Sequence, residues 1–225
     1  ARIKADTPIQ YRNADARRFT TSYGEMFPLD DALTYEPAAD DSIEGIAKRT
    51  GKHHLDVLMD AMADRRPVIF FFGGYPGDLE RQRTAIEDPR SVFGLSDGGA
   101  HCGVLCDASV PTYMLAYFAR DRDKGAKLPL PLVVHKMTQD SASVYGLTDR
   151  GVVAPGYLAD LNVIDYDELA LEAPEMVYDL PGSGKRLIQK ARGYAATIKR
   201  GAVTFENGEA TGEMPGALIR GGHLA

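Results

Sequence analysis

The first two thirds of the chain alternate between blocks of helical and extended apolar period. Residues 41–50 (DSIEGIAKRT) predict a helix that Asp41 or Ser42 can cap, with Glu44 in its first turn and Gly51 stopping it. HLDVLMDAMADR predicts a second helix, with Leu55, Leu58, Met59 and Met62 turned inward and Asp56, Asp60 and Asp64 facing water. The period then changes. PVIFFF, residues 67–72, is a continuous apolar run between Pro67 and Gly73-Gly74, the pattern of a fully buried strand. Residues 78–87 return to helix, and Asp88-Pro89 ends it.

SVFGLS, residues 91–96, predicts a second buried strand running into the polar, glycine-rich stretch Asp97-Gly98-Gly99-Ala100-His101, and a further helix begins near Pro111. Strand, helix, strand, helix at this spacing implies parallel strands joined by right-handed crossovers, an α/β fold. Two more helical stretches, PLVVHKMT and QDSASVYGL, complete this portion. From Asp149-Arg150-Gly151 onward the pattern becomes short β segments with frequent turns: residues 161–165, 194–200 and 202–208, with Asn207-Gly208 a strong turn signal. The expected organisation is an α/β portion over 1–150 and a small β unit over 151–225.

Composition narrows the function classes. A chain of 225 residues, 44% hydrophobic, can bury one sizeable core, or one plus a small appendage. The net charge is -6 with scattered basic residues, which leaves no electrostatic footprint for nucleic acid or an anionic membrane and favours a small soluble substrate. No apolar run is long enough to span a bilayer, and the start, Ala1-Arg-Ile-Lys, has neither a signal-peptide core nor an initiator Met. A cytoplasmic protein with sequence missing upstream is the expectation. Cys102 and Cys106, spaced C-x3-C, form neither a redox pair nor a disulfide framework.

A carboxylate placed directly after a buried parallel strand, and released by two glycines, stands where α/β barrels put catalytic groups. Asp97 fits, with Gly98 and Gly99 allowing a substrate or metal to approach the backbone; a helix cap or turn former fits the same residues. His101 either lines the pocket beside Asp97 or joins Cys102, Cys106 and Asp107 in a self-contained zinc site. Tyr75, in Gly73-Gly74-Tyr75-Pro76-Gly77, borders substrate or belongs to a simple turn. Arg120 and Arg122 attract a substrate carboxylate or form an exposed charged helix end. His53-His54 reads as a solvated loop between helices, and His135 as a structural histidine among Val133, Val134 and Met137. The stretch 181–186 (PGSGKR) lacks the spacing of a phosphate-binding loop.

S-D-G-G-A-H at 96–101 and D-R-G-V-V-A-P-G-Y-L-A-D-L-N-V-I-D at 149–165 resemble the ending of the amidohydrolase superfamily, with V-H-K-M-T at 134–138 in the matching place on the preceding helix. The stretch 174–194 and the closing 211–221 are similar to tails of its D-aminoacylase branch, which comprises N-acyl-D-amino-acid deacylases. The resemblance implies the C-terminal part of a TIM-like barrel followed by a small β-sandwich segment, with VIFFF as the seventh barrel strand and SVFGLS as the eighth. It makes Asp97 the aspartate that contacts the active-site zinc, one or two ions, and takes a proton from the attacking water. A zinc ion lowers the pKa of its bound water to about 7, so a neighbouring carboxylate can complete the deprotonation.

The family's H-x-H motif, its bridging ligand and its further histidines have no counterpart among His53, His54, His101, His135 and His223. Two strands cannot close a barrel that needs about eight. The sequence therefore predicts a fragment, inactive alone, whose missing N-terminal part supplies the other ligands for hydrolysis of a linear amide, first an N-acyl-D-amino acid. A hydrolase of another, cyclic C–N bond, a non-catalytic module and a subunit of a split enzyme stay open, as does a homo-oligomer.

Overall fold

The computed structural model describes residues 4, 14–30, 32–71, 77–94, 96, 99 and 101–219. Contacts divide the chain into two compact units, Ala1–Leu79 and Glu80–Ala225.

In the first unit a short helix α1 (Ala14–Thr21) precedes strand β1 (Met26–Pro28), helices α2 (Ile43–Thr50) and α3 (His54–Ala63) and strand β2 (Val68–Phe70). Helix α2 forms as its sequence dictates: the Ser42 hydroxyl accepts the Gly45 amide at 3.0 Å, and Gly51 ends the helix in the left-handed region at φ 68°. Met26, Ile43, Ala47 and Val57 make the core, with Val68 and Phe70 packed against it. The inward face of α3 is Val57 and Ala61, one turn apart; Met59 and Met62 are 48% and 60% exposed. Of the expected face, Leu58 packs against that core while Met59 and Met62 do not. The smaller residues fit against α2, and the long methionines lie where water reaches them. Glu36 is buried and accepts the Leu79 amide at 2.6 Å.

Strand β2 corrects the expectation of a buried parallel strand. It is half-buried and pairs antiparallel with β1, Met26 opposite Phe70 and Pro28 opposite Val68. Hydrophobic period fixes which side of a strand faces inward but carries no information on partner or direction, and here the partner is the segment 26–28, about forty residues upstream.

The second unit holds helix α4 (Glu80–Glu87), then residues 91–94, which take no strand or helix form. The eighth-strand expectation for SVFGLS is therefore corrected over its described residues. All strand pairs among the described residues are antiparallel, so no ladder neighbour supports a parallel strand there. Helix α5 begins as Val110–Tyr113 and continues in wide π-type turns through Met114–Asp121. Helix α6 runs without a break from Leu130–His135 through wide turns at Lys136–Asp140 to Ser141–Val144, one rod where the sequence predicted two.

The β segments follow the sequence closely. Strands β3 (Leu161–Ile164), β8 (Tyr194–Lys199), β9 (Ala202–Glu206) and β10 (Glu209–Ala210) form a sheet in the order β10-β9-β8-β3, with Asn207-Gly208 turning β9 into β10. Strands β4 (Ala170–Leu171) and β7 (Ala191–Arg192) pair. Strands β5 (Glu175–Leu180) and β6 (Gly184–Ile188) form a hairpin, and the stretch 181–186 supplies its turn and the start of β6.

The expected boundary near residue 150 falls inside this unit, and α5 is bonded to segments beyond it. The Tyr166 hydroxyl donates to the Leu115 carbonyl at 3.1 Å, Thr112 and Tyr194 share a hydroxyl bond of 2.8 Å, and Arg120 donates to the carbonyls of Tyr166, Asp167 and Leu169. The stretch 149–160 splices helix to sheet. Asp160 accepts from Arg150, from Lys199 and from the Arg200 amide, while Leu158 donates to the Asp149 carbonyl at 2.8 Å. Gly151 sits at φ 88°, where a Cβ would lie 3.0 Å from both the Thr138 carbonyl and the Ala142 side chain, so only glycine lets the chain pass α6 this closely.

Candidate active site

The segment that carries the nominated residues can be followed from the end of α4. Asp88 closes that helix with its carboxylate bonded to the Arg90 side chain and amide, and the Arg90 side-chain and amide bonds hold its pKa down at about 2. Ser91 bonds back to the Asp88 carbonyl through both amide and hydroxyl. Asp97, Gly98 and Tyr75, with Gly73, Gly74 and Pro76, lie outside the described residues.

Gly99 adopts φ 99°, as a glycine at a turn allows, and His101 follows at φ 50° with an exposed side chain. The His101 carbonyl accepts the amides of Val104 and Leu105, so the residue heads a tight turn. The Cys102 carbonyl accepts the Leu187 amide of β6 at 2.6 Å, which anchors the loop to the hairpin. Cys102 and Cys106 are free thiols, and burial, with the charge of Asp107, pushes the Cys106 pKa up.

Among the described residues no group of three or more His, Cys, Asp or Glu side chains stands together as a metal site would require. His101, Cys102, Cys106 and Asp107 therefore do not make a self-contained zinc centre. The donor set of the described chain does not fit a resident metal by itself.

The remaining nominated residues have structural roles that the sequence only partly indicated. His53 caps α3, its Nδ1 accepting the Leu55 amide at 3.2 Å, and His54 is the first helical residue, stacked on Tyr23 with ring centres 4.0 Å apart. The solvated-loop expectation for His53-His54 is corrected accordingly. His135 is exposed beside Asp140, 3.1 Å from its carboxylate, and the buried residue of that turn is Lys136. Arg120 and Arg122 are not an exposed helix end. Arg122 is 1% exposed and donates to Glu80 at 2.6 Å and to the Ala126 carbonyl at 2.8 Å, so neither guanidinium is left free for a substrate carboxylate.

Sequence reasoning missed Lys136 and Asp160. A signal existed for the first: Lys136 stands three residues after Val133, on the same helix face, and Val133 is buried. For Asp160, burial alone would raise the pKa, but the Lys199 and Arg200 bonds and the Arg150 charge lower it. A shallow cleft of about 640 Å³ lies over the sheet, with Asn162, Thr197 and Phe205 in its wall and Glu213–Gly216 along its rim. It contains none of the residues the sequence nominated.

Helices α4–α6 anchored to an antiparallel β unit define a mixed α/β protein. The profile described as Amidohydrolase family matches residues 8–205, and the chain belongs to that family. The N-acyl-D-aspartate deacylase of Alcaligenes xylosoxydans xylosoxydans is 35% identical over 100 residues, which are 42% of this chain and 17% of that protein. Among solved structures, a D-aminoacylase mutant in complex with copper chloride gives a TM-score of 0.47 at 24% identity, over 87% of this chain and 37% of that one. A D-aminoacylase described as defining a novel subset of amidohydrolases gives 0.45 at 24%, over 84% and 36%. The chain thus spans about a sixth of the length of the curated relative and just over a third of the solved neighbours. No helix of the described residues is long and apolar enough to cross a membrane.

Proposed function

We propose that this chain is part of a metal-dependent amidohydrolase that cleaves a linear amide, first of all an N-acyl-D-amino acid, into a carboxylate and an amine. The observation that carries the reading is the family match over residues 8–205, a range that includes the Ser96-Asp97-Gly98-Gly99-Ala100-His101 motif. The deacylase relative, 35% identical where it aligns, supports the substrate class. Asp97 takes the proton from the water that attacks the amide carbonyl and passes it to the nitrogen as the C–N bond breaks. His101, Tyr75, Gly98 and Gly99 border the substrate. Zinc is the proposed metal, and ligands from outside this sequence complete its site.

Turnover of N-acetyl-D-amino acids, N-acetyl-D-aspartate among them, is measured for the purified chain with zinc, alone and mixed with the upstream part of its reading frame. Activity is expected only in the completed form, and Asp97→Asn should lower its kcat by at least about 100-fold. Stoichiometric zinc binding and turnover by this chain alone would refute the need for outside ligands. No turnover in either form favours a non-catalytic module.

A further inference from the structure

Strands β9 and β10 are joined by Asn207 and Gly208 alone, at φ 50° and 85°. Two positive φ values are what a type I′ turn demands, and asparagine followed by glycine meets that demand at low steric cost. The same pair carries a chemistry of its own. The main-chain nitrogen that follows an asparagine can reach the side-chain carbonyl carbon Cγ, and a side chain on the following residue obstructs the approach; glycine has none. Of the chain's asparagines only Asn207 precedes a glycine. Asn162 precedes the β-branched Val163 inside the β3 ladder.

The tip of the hairpin is open. Asn207 and Gly208 are exposed, and a Cβ at Gly208 would have nothing within 4 Å. The Asn207 amide is held, donating to the Ala195 carbonyl of β8 at 3.0 Å. The Gly208 amide stands outside the ladder, because in a two-residue loop the ladder bonds run between the flanking pair, here Glu206 and Glu209. Those two acids face each other with like charge, and β10 is only Glu209–Ala210, so the pairing that holds the turn is weak. Beyond it Thr211 ties the tail to β9, its amide donating to the Thr204 carbonyl at 3.0 Å and its hydroxyl to the Val203 carbonyl at 2.7 Å.

We propose that Asn207 is a self-modification site whose conversion releases the end of the chain from the sheet. The Gly208 nitrogen bonds to Asn207 Cγ, the Cγ–Nδ2 bond breaks, and the side-chain nitrogen leaves as ammonia with the proton that Gly208 gives up. Water then opens the cyclic imide. Opening at the former side-chain carbonyl gives aspartate; opening at the main-chain carbonyl gives isoaspartate, whose backbone runs through Cβ and is longer by that carbon. In sum a water is taken up and an ammonia is lost. The type I′ turn does not accommodate the added atom, and either product sets a further negative charge between Glu206 and Glu209. The β10 ladder and the Thr211 bonds then give way.

The test ages the purified intact chain in mildly alkaline buffer and follows it by peptide mapping and hydrogen exchange. The peptide that contains Asn207 should exchange its side-chain NH2 for OH and split into two isomers, one of them a substrate for an isoaspartate-specific methyltransferase, at least about tenfold faster than Asn162 is lost. In the isoaspartate form the Thr211 amide should exchange at least about tenfold faster than in fresh protein while the amides of β3 keep their protection. Asn207→Gly, which suits the turn and has no side chain to convert, should keep Thr211 protected throughout ageing. Survival of Asn207 in the folded chain while the denatured chain converts would mean that the turn guards the residue, and overturns the proposal. So does conversion at the pace of Asn162. An unchanged Thr211 amide in the isoaspartate form, or equal loosening in aged Asn207→Gly, overturns the link to release of the tail.

Discussion

Each of the two units is closed by its own chemistry. The first is closed by apolar packing of β1, α2, α3 and β2 around Ile43, with Glu36 as its one buried acid among the described residues. The second buries Leu128, Val133 and Leu169 as well, but its segments are stitched by cations bonded to backbone carbonyls: Arg120 to 166–169, Arg122 to Ala126, Lys136 to Asp88 and Ser91. Apolar packing tolerates small shifts among many weak contacts. A cation with its donors saturated fixes a loop in one geometry, because any departure leaves a buried charge with an unmet partner.

The largest expected effect is in the first unit. Ile43 is fully buried at the centre of its cluster, and Ile43→Ala should destabilise that unit by about 3 kcal/mol through lost burial and the cavity left behind. In the second unit Arg122→Met, which keeps most of the volume and removes the guanidinium, should cost about 2 kcal/mol. The figure is set below that for a fully enclosed pair because Glu80 is 40% exposed and can be rehydrated. Denaturant midpoints for the two variants check both. If Arg122→Met is neutral while Leu128→Ala is severe, the second unit is packed like the first and the contrast fails.

What was legible in the sequence follows the same line. The cap and stop of α2, the helix over 80–87, and strands β3, β8 and β9 were readable because capping, alternation and turn residues act within a few positions of one another. The partner of VIFFF was not, since a ladder is chosen by backbone groups that every residue shares, and Met26–Pro28 is more than forty residues away. The burial of Arg120 and Arg122 was not legible either, because several of their acceptors are main-chain carbonyls, which leave no mark in a sequence. At the candidate site the S-D-G-G-A-H motif was legible as a family resemblance, whereas the downstream anchor of its loop, the Cys102 carbonyl on Leu187, depends on a hairpin eighty residues further on.

A smaller effect probes the join between α5 and the β segments. Tyr166→Phe removes the hydroxyl that donates to the Leu115 carbonyl and leaves the ring beside Arg120, with 5.5 Å from guanidinium to ring centre. About 1 kcal/mol of destabilisation is expected. If α5 and the β segments form one cooperative unit, thermal unfolding followed at both should shift together; two separated transitions would support a boundary near residue 150.

The smallest expected effect is the pH response of the first unit. His54 lies against Tyr23, and burial there lowers its pKa below 6.5, an effect strengthened by neighbouring His53 and opposed by Glu44. The lowered value means that the unfolded chain takes up this proton more readily than the folded one. The stability linked to His54 is therefore fully present above pH 6.5 and is lost as pH falls through the folded value. Glu44 and Asp56, whose pKa values are held down by Lys48 and by Lys4, stay charged across that window and do not reverse the sign. Denaturation of the first unit should thus become easier as pH falls below 6.5. His54→Phe, which keeps a ring to stack on Tyr23 but cannot titrate, should flatten that slope; an undiminished slope would assign it to other groups and leave the unit's core as insensitive to charge as its apolar packing suggests.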